Sequence, residues 1–249
     1  MAFDRQSFAG DQIAPAPAQI QLFASAHKYV IGVDEVGRGC LAGPVVAAAV
    51  ILPAALYAAP RSALARKLAK LDDSKLIPQP LREELQAVIA SCAHYSVAEA
   101  SVAEIDDINI LNASLLAMKR AVYALLATIA VDHHEVLVLV DGNRNIKDFV
   151  PRQKTVIQGD SKSASIAAAS VMAKVYRDQL MRDLSSQFPH YLWQQNKGYG
   201  SKAHRSAILE HGITPWHRQS FRLMPDANET DDYLADDIDE QLELALKRS

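Results

Sequence analysis

Residues Tyr29 to Leu52 read YVIGVDEVGRGCLAGPVVAAAVIL, and the reading of this stretch decides the fold. Tyr29-Val-Ile-Gly-Val33 is a short β-branched run of strand type, and Val45 to Leu52 is a second, more continuous one. Between them Gly37-Arg38-Gly39 and Gly43-Pro44 force the chain to turn. Asp34 and Glu35 therefore stand at the end of a strand that is expected to be central and buried. Charge in such a place is costly unless it is paired or holds a metal ion.

Working outward, apolar strand runs alternate with helical spacing. Ala54 to Lys70 is Ala-rich and predicts a helix, and Pro80 suits the first turn of another that runs to about Ala90. His94 to Ala100 alternates as a third strand. Asn109 to Ala130 carries Leu111, Leu115, Met118, Val122 and Leu125 at helical spacing. Glu135 to Val140 is an apolar strand running into Asp141-Gly142, and Lys154 to Ile157 is a short one ending at Gly159-Asp160. Ser161 to Phe188 reads as a long helix, Pro189 to Gly200 as a loop, and Ser201 to His211 as a further helix. The alternation implies an α/β sheet followed by a basic helical extension.

The net charge of −3 over 249 residues hides an uneven distribution. Residues 226–249 hold nine acids against Lys247 and Arg248, which leaves 24 basic and 20 acidic residues in 1–225. Residues 142–225 alone carry 13 Lys or Arg against five acids. A basic later body suits a polyanionic partner. Residues 1–18 are expected to be a disordered leader, 19–225 one folded domain including the C-terminal helical segment, and 226–249 an acidic tail. Cys40 and Cys92 lack the spacing of a disulfide framework or a zinc site. No signal pattern opens the chain and no stretch reads as a charge-free spanning segment, so a cytoplasmic, non-membrane protein is expected.

Three strands thus end in an acid: Asp34-Glu35, Asp141 and Gly159-Asp160. In an open α/β sheet, sites form at the carboxyl ends of the strands. Each acid taken singly is a turn former or helix cap, and Asp160 is placed to cap a helix. Three together point to convergence. Four carboxylates at one place repel, and two divalent cations would neutralise them, with all-oxygen ligands favouring Mg²⁺ or Mn²⁺. Two such ions, about 3.5–4 Å apart, can activate water and stabilise the leaving oxygen of a phosphodiester. Adjacent side chains in a strand face opposite ways, so Asp34 and Glu35 share a face only if the strand kinks; otherwise one offers its carbonyl.

Asp34-Glu-Val-Gly-Arg-Gly-Cys-Leu-Ala-Gly-Pro-Val45 resembles the signature of ribonuclease HII, the type 2 ribonuclease H family. The similarity continues through Asp73-Ser-Lys75, Asn109-Ile110, Ala117-Met118, Asp141-Gly-Asn-Arg144 and Gly159-Asp160. It then takes in Ile166-Ala-Ala-Ala-Ser170, Ala173-Lys174, Arg177-Asp178, Lys197-Gly-Tyr199, His217-Arg218 and Ser220-Phe221. The resemblance implies a ribonuclease H-like fold: a mixed five-stranded sheet flanked by helices, with a C-terminal helical segment. It implies an endoribonuclease that cleaves RNA in RNA–DNA hybrids and cuts 5′ to single ribonucleotides in duplex DNA, leaving 3′-hydroxyl and 5′-phosphate ends. Asp34, Glu35, Asp141 and Asp160 match its metal-site carboxylates. The expected substrate is RNA–DNA hybrid or ribonucleotide-containing duplex DNA, bound by a monomer.

Such an enzyme must sense a 2′-hydroxyl. Gly37, Arg38 and Gly39 match the family's reader of that group, since glycines admit close backbone approach. Tyr199 matches a second reader that packs on the next sugar, although Gly200 stands where the family pattern commonly has proline. Arg144, Lys162, Lys174 and Lys197 are candidates for phosphate contacts, which give affinity rather than choice of site. Ser163 either binds a phosphate or caps a helix. His204, His211 and His217 lack metal spacing and read as structural or phosphate-facing. Two other readings stand beside this one. Another ribonuclease H-like nuclease would not need Gly37-Arg38-Gly39 or Tyr199, and a non-catalytic nucleic-acid-binding module would gain nothing from carboxylates facing phosphate.

Overall fold

A computed structural model of the chain describes residues 28–59, 61–71, 77–129 and 131–224. The expected leader, the acidic tail and the Asp73-Ser-Lys75 turn lie outside the described residues. The chain divides into two compact units, Met1–Arg38 with Pro44–Gln179 and Gly39–Gly43 with Leu180–Ser249.

In the first unit, β1 (Tyr29–Val36), β2 (Val45–Ile51), β3 (His94–Ala100), β4 (Val136–Asp141) and β5 (Arg152–Val156) form one sheet in the order β3-β2-β1-β4-β5. β2 lies antiparallel to both β1 and β3, whereas β1, β4 and β5 run parallel. This is the expected mixed five-stranded sheet, and its central strand is the one that carries Asp34 and Glu35. Tight packing on both faces explains the composition of β2, all of whose residues, Val-Val-Ala-Ala-Ala-Val-Ile, are buried. Its alanines let helices approach from either side.

Helices α1 (Ala54–Ala58), α2 (Ala63–Leu68) and α3 (Gln79–Cys92) follow β2. The single helix expected over Ala54 to Lys70 is two, the second restarting where the Ser62 hydroxyl accepts from the Ala65 amide. Helix α4 (Val102–Ile129) starts earlier than its apolar spacing suggests, because it is two helices joined at Asn109, whose φ of 66° and ψ of 162° break the helical path. The Asn109 side chain caps the second half by accepting from the Asn112 amide. An 18-residue window of α4, with a mean hydropathy of 1.4, is long and apolar enough to cross a membrane. Here its buried stripe (Ala113, Ala117, Ala121, Leu125) packs on β1, β2 and β3.

The opposite face of the sheet is covered by α6 (Ala164–Gln187), preceded by the short α5 (Gly159–Lys162). The long helix expected from Ser161 breaks at Ser163, which is extended (φ −125°) and whose Oγ accepts from the Ile166 amide. Val36, Val46, Ala48 and Val50 meet Ala167, Ala168, Val171 and Met172, with Leu85 and Ile89 of α3 completing this core. Gly32 is where α6 comes closest: a Cβ there would lie 2.1 Å from the Ser165 carbonyl carbon and 2.3 Å from the Ile166 nitrogen.

The second unit has its own core of Leu41, Met181, Leu184, Tyr191, Trp193 and Ile208. A 3-10 turn (Pro189–Tyr191) and α7 (Trp193–Asn196) occupy the stretch expected as loop, and α8 (Lys202–His211) follows with Ser201 as its cap. His204 and His217 are buried and structural. The His204 Nδ1–H donates to the Tyr199 carbonyl (2.8 Å), and its Nε2 accepts from the Trp193 indole (2.9 Å). That Nε2 also faces His217 Nε2 at 3.2 Å, while His217 Nδ1 accepts from the Thr214 amide at 2.9 Å. One consistent set of tautomers satisfies every atom with both rings neutral.

Two outcomes follow from this packing. Gly32→Ala is expected to lower the unfolding free energy by about 3 kcal/mol, since backbone rather than a side-chain tip must move. Gly39→Ala meets open space and changes it by less than about 0.5 kcal/mol, with urea titration reading both. Burial lowers the pKa of both histidines, that of His217 from 6.5 to about 4, with His204 adding to the effect. The folded state thus disfavours protons that the unfolded state accepts, so stability is full above pH 6.5 and is lost as pH falls toward 4. Both tryptophans, Trp193 and Trp216, lie in this unit, and the denaturation midpoint of their fluorescence is expected to drop across that window.

Candidate active site

Parallel pairing builds the site. Val33 pairs with Val140, so the next residue on each strand, Asp34 and Asp141, sits side by side at the carboxyl ends of β1 and β4. In-register neighbours of parallel strands face the same way. The pairing of β1 with β2 stays regular through Glu35–Ala47 and Val36–Val46, so no bulge turns Glu35 to the face of Asp34. Asp34 faces α6, where Ser170 hydrogen-bonds its carboxyl, and its Oδ1 accepts from the Glu35 amide at 2.7 Å. Glu35 faces the α4 side and lines a cleft of about 250 Å³ with Arg38, Ser114, Met118, Asp141 and Arg144. Asp141, as the last residue of its strand, is an electrostatic neighbour of both.

The electrostatics are those of crowded acids. Asp34 is 5% exposed, and its pKa is held well above the usual carboxylate range, first by burial, then by Glu35 and Asp141. Burial raises Glu35 as well, opposed by Arg38, whose Nη1 lies 3.1 Å from Glu35 Oε1. Asp141 is oriented by the Gly159 amide, which donates to its Oδ1 at 2.7 Å. A Cβ on Gly159 would stand 2.9 Å from that same oxygen. Asp160 follows directly in α5, half-buried, and accepts from the Ser161 amide at 2.9 Å. Among the described residues no three His, Cys, Asp or Glu side chains already close around a single metal position. The opposed faces of Asp34 and Glu35 account for this.

The other expected residues fall into distinct settings. Gly37 is buried with a φ of +94°, while Arg38 and Gly39 are exposed. Arg144 is exposed at the cleft. Lys162 is exposed and its Nζ donates to the Ile157 carbonyl at 2.6 Å. Ser163 is 1% exposed and serves as the cap of α6. Lys174 is 8% exposed, and its Nζ binds Asp178 Oδ1 at 2.6 Å. Arg82 takes the other oxygen of Asp178 at 3.1 Å, so Lys174 belongs to a buried ion cluster. In the second unit, Lys197 adopts a left-handed backbone (φ 51°) and reaches the Gln194 carbonyl. Tyr199 keeps 40% of its surface exposed, its carbonyl held by His204.

Sequence reasoning did not single out Ser170 and Arg177 as site residues. The spacing of Ser170, Lys174 and Arg177, four and then three residues apart on one helix face, is the signal that could have found them.

The fold is similar to that of solved ribonucleases H. Ribonuclease HII of Archaeoglobus fulgidus, in its complex with PCNA, superposes with a TM-score of 0.60 at 24% identity, covering 80% of this chain and 98% of that one. Bst-RNase HIII in complex with Mn²⁺ gives a TM-score of 0.62 at 19% identity, covering 91% and 76%. These likenesses define the class as a ribonuclease H fold. The narrower assignment comes from sequence. The family model of ribonuclease HII matches residues 31–224, and ribonuclease HII of Christiangramia forsetii is 48% identical over 209 residues, 82% of this chain and 96% of that protein. The chain belongs to the ribonuclease HII family and is an endoribonuclease of ribonuclease H type 2.

Because Asp34 is penalised in its ionised form, Asp34→Asn is expected to raise Tm by about 2–4 °C in buffer free of divalent cation. Added Mg²⁺ is expected to raise the Tm of the parent chain and not that of the variant. Differential scanning calorimetry with and without the cation reads both effects.

Proposed function

We propose that this chain hydrolyses RNA in RNA–DNA hybrids and cuts duplex DNA on the 5′ side of a single embedded ribonucleotide, leaving 3′-hydroxyl and 5′-phosphate ends. The observation that carries the reading is the side-by-side placement of a buried Asp34 and a half-buried Asp141, with Glu35 beside them, at the edge of an open cleft. Cations entering such a site would favour the ionised form of the buried Asp34 carboxyl. The donor set of Asp34, Glu35, Asp141 and Asp160 is all oxygen and fits Mg²⁺ or Mn²⁺, and a relative of the same fold has been solved with Mn²⁺. Two such ions, when bound, supply an activated water and charge stabilisation at the scissile phosphate.

The remaining work belongs to the chain's own residues. Ser170 and the Glu35 amide orient the Asp34 carboxyl, and the Gly159 amide orients Asp141. Arg38 holds Glu35 at the cleft until substrate phosphate competes for its guanidinium. Gly37, Arg38 and Gly39 read the 2′-hydroxyl, and Tyr199 offers a ring face to a deoxyribose. Arg144, Lys162 and Lys197 contact phosphates. Ser163 and Lys174, engaged in a cap and an ion pair, are better placed to hold the framework. The enzyme acts as a cytoplasmic monomer.

The test is a DNA duplex with one ribonucleotide, incubated with and without Mg²⁺ or Mn²⁺. Cation-dependent cutting 5′ to the ribonucleotide is expected, with none on an all-DNA duplex. Asp141→Asn is expected to lower kcat by at least about 10³-fold. Cutting confined to long hybrid tracts would refute the single-ribonucleotide reading.

A further inference from the structure

Helix α6 touches β1 and the connection after it at three successive levels. Ser165 and Ile166 lie under Gly32, Ser170 binds Asp34, and Arg177 lies under Gly37. The third level is unusual in its chemistry. Arg177 is 0% exposed, and a wholly buried guanidinium is tolerated only for the bonds it makes. Its Nε donates to the Pro44 carbonyl at 3.0 Å. A Cβ on Gly37 would stand 2.2 Å from Nε and 2.8 Å from Cδ and Cζ, so the Gly37 backbone rests on the arginine as on a shelf. Gly37 is the first residue after β1 and Pro44 the last before β2. One side chain therefore holds both ends of the β1–β2 connection.

Fixing those ends has a consequence at the cleft. Arg38 is joined to Gly37, and its guanidinium pairs with Glu35. Seven residues, two helical turns, separate Arg177 from Ser170 on the same face of α6. One rigid helix thus places both the Asp34 carboxyl and the start of the Gly37-Arg38-Gly39 segment. The neighbouring Lys174, Asp178 and Arg82 cluster, itself buried, ties this part of α6 to α3.

We propose that Arg177 is a positioning residue that sets the height of the ribonucleotide-reading segment relative to the metal-site carboxylates. This rests on the proposed function for the roles of Gly37-Arg38-Gly39 and the acids. The side chain acts through the backbone of Gly37 and Pro44 and does not touch substrate. Misplacing a reacting group by about 1 Å costs up to about 100-fold in rate while leaving encounter with the duplex largely intact. Loss of Arg177 therefore falls on kcat rather than on KM.

The experiment uses the full chain and two variants. Arg177→Met keeps length and apolar contact but removes the Nε donor, and Arg177→Lys restores a donor without the planar shelf. Each is first shown to be folded by circular dichroism. Steady-state kinetics are then measured with Mg²⁺ on a single-ribonucleotide duplex and on an RNA–DNA hybrid, with cut positions mapped. The expected result is a kcat about 10- to 100-fold lower for Arg177→Met, a KM within about threefold of the parent, and partial recovery in Arg177→Lys. A folded variant with parental kcat on both substrates overturns the proposal. So does an activity loss that only tracks the unfolded fraction; if Arg177→Met does not fold, Arg177→Lys is judged by the same criteria. A parent chain that cuts the hybrid but not the single-ribonucleotide duplex refutes that reading of function instead, and Arg177 is then judged by kcat on the hybrid.

Discussion

The close contact between Gly32 and the first turn of α6 is the constraint on which the site depends. A methyl group at Gly32 would overlap the Ser165 carbonyl carbon at 2.1 Å, so strand and helix here are as near as backbones allow. From that contact the two elements run on side by side. The five steps from Gly32 to Gly37, at strand spacing, rise about 17 Å. The helix needs eleven to twelve residues to cover about the same distance, which leads from the Ser165–Ile166 bond to Arg177. The match lets one helix meet the strand at its middle, near its carboxyl end and just beyond. A slip of one residue at Gly32 would break all three contacts together.

The same economy governs charge. Asp34 and Asp141 are brought together by register alone, because a parallel pair places equivalent residues on one face. Backbone amides of Glu35 and Gly159 each take one carboxylate oxygen, an arrangement that orients the acids without neutralising them. At the cleft, the exposed Arg38 pairs with Glu35, whereas the buried cations Lys174 and Arg82 pair with Asp178. Negative charge is left concentrated where cations and phosphate would meet it.

Much of this was legible in the chain. The apolar runs that end in Asp34 and Asp141 announced strands with acids at their carboxyl ends, and the strand elements lie where the alternation placed them. The order of the strands was not legible, since pairing of β1 with β4 is a long-range choice that no local pattern encodes. The early start of α4 was hidden because Asn109 interrupts the helical period, and acidic residues fill the turn before it. Lys174 reads in isolation as a phosphate contact. Its Asp178 partner is visible one helical turn on, but Arg82 comes from α3, far away in sequence, and only folding shows the lysine to be buried. For Ser163 the sequence left phosphate contact and helix cap both open, and its Oγ accepts from the Ile166 amide as a cap does.

The topology also fixes when the enzyme can begin to exist during its own synthesis. Asp34 leaves the ribosome early, on a strand whose parallel neighbour β4 and whose supporting helix α6 are both encoded much later. Until residue 141 has been made, the central strand can pair only with the β2–β3 meander, and until Arg177 has been made both ends of the connection after it are unsupported. The nascent chain therefore carries Asp34 and Glu35 well before their parallel strand neighbour and supporting helix exist. The residues that complete the Asp34 end of the sheet, Ser170 and Arg177, are thus among the last of the first unit to be made.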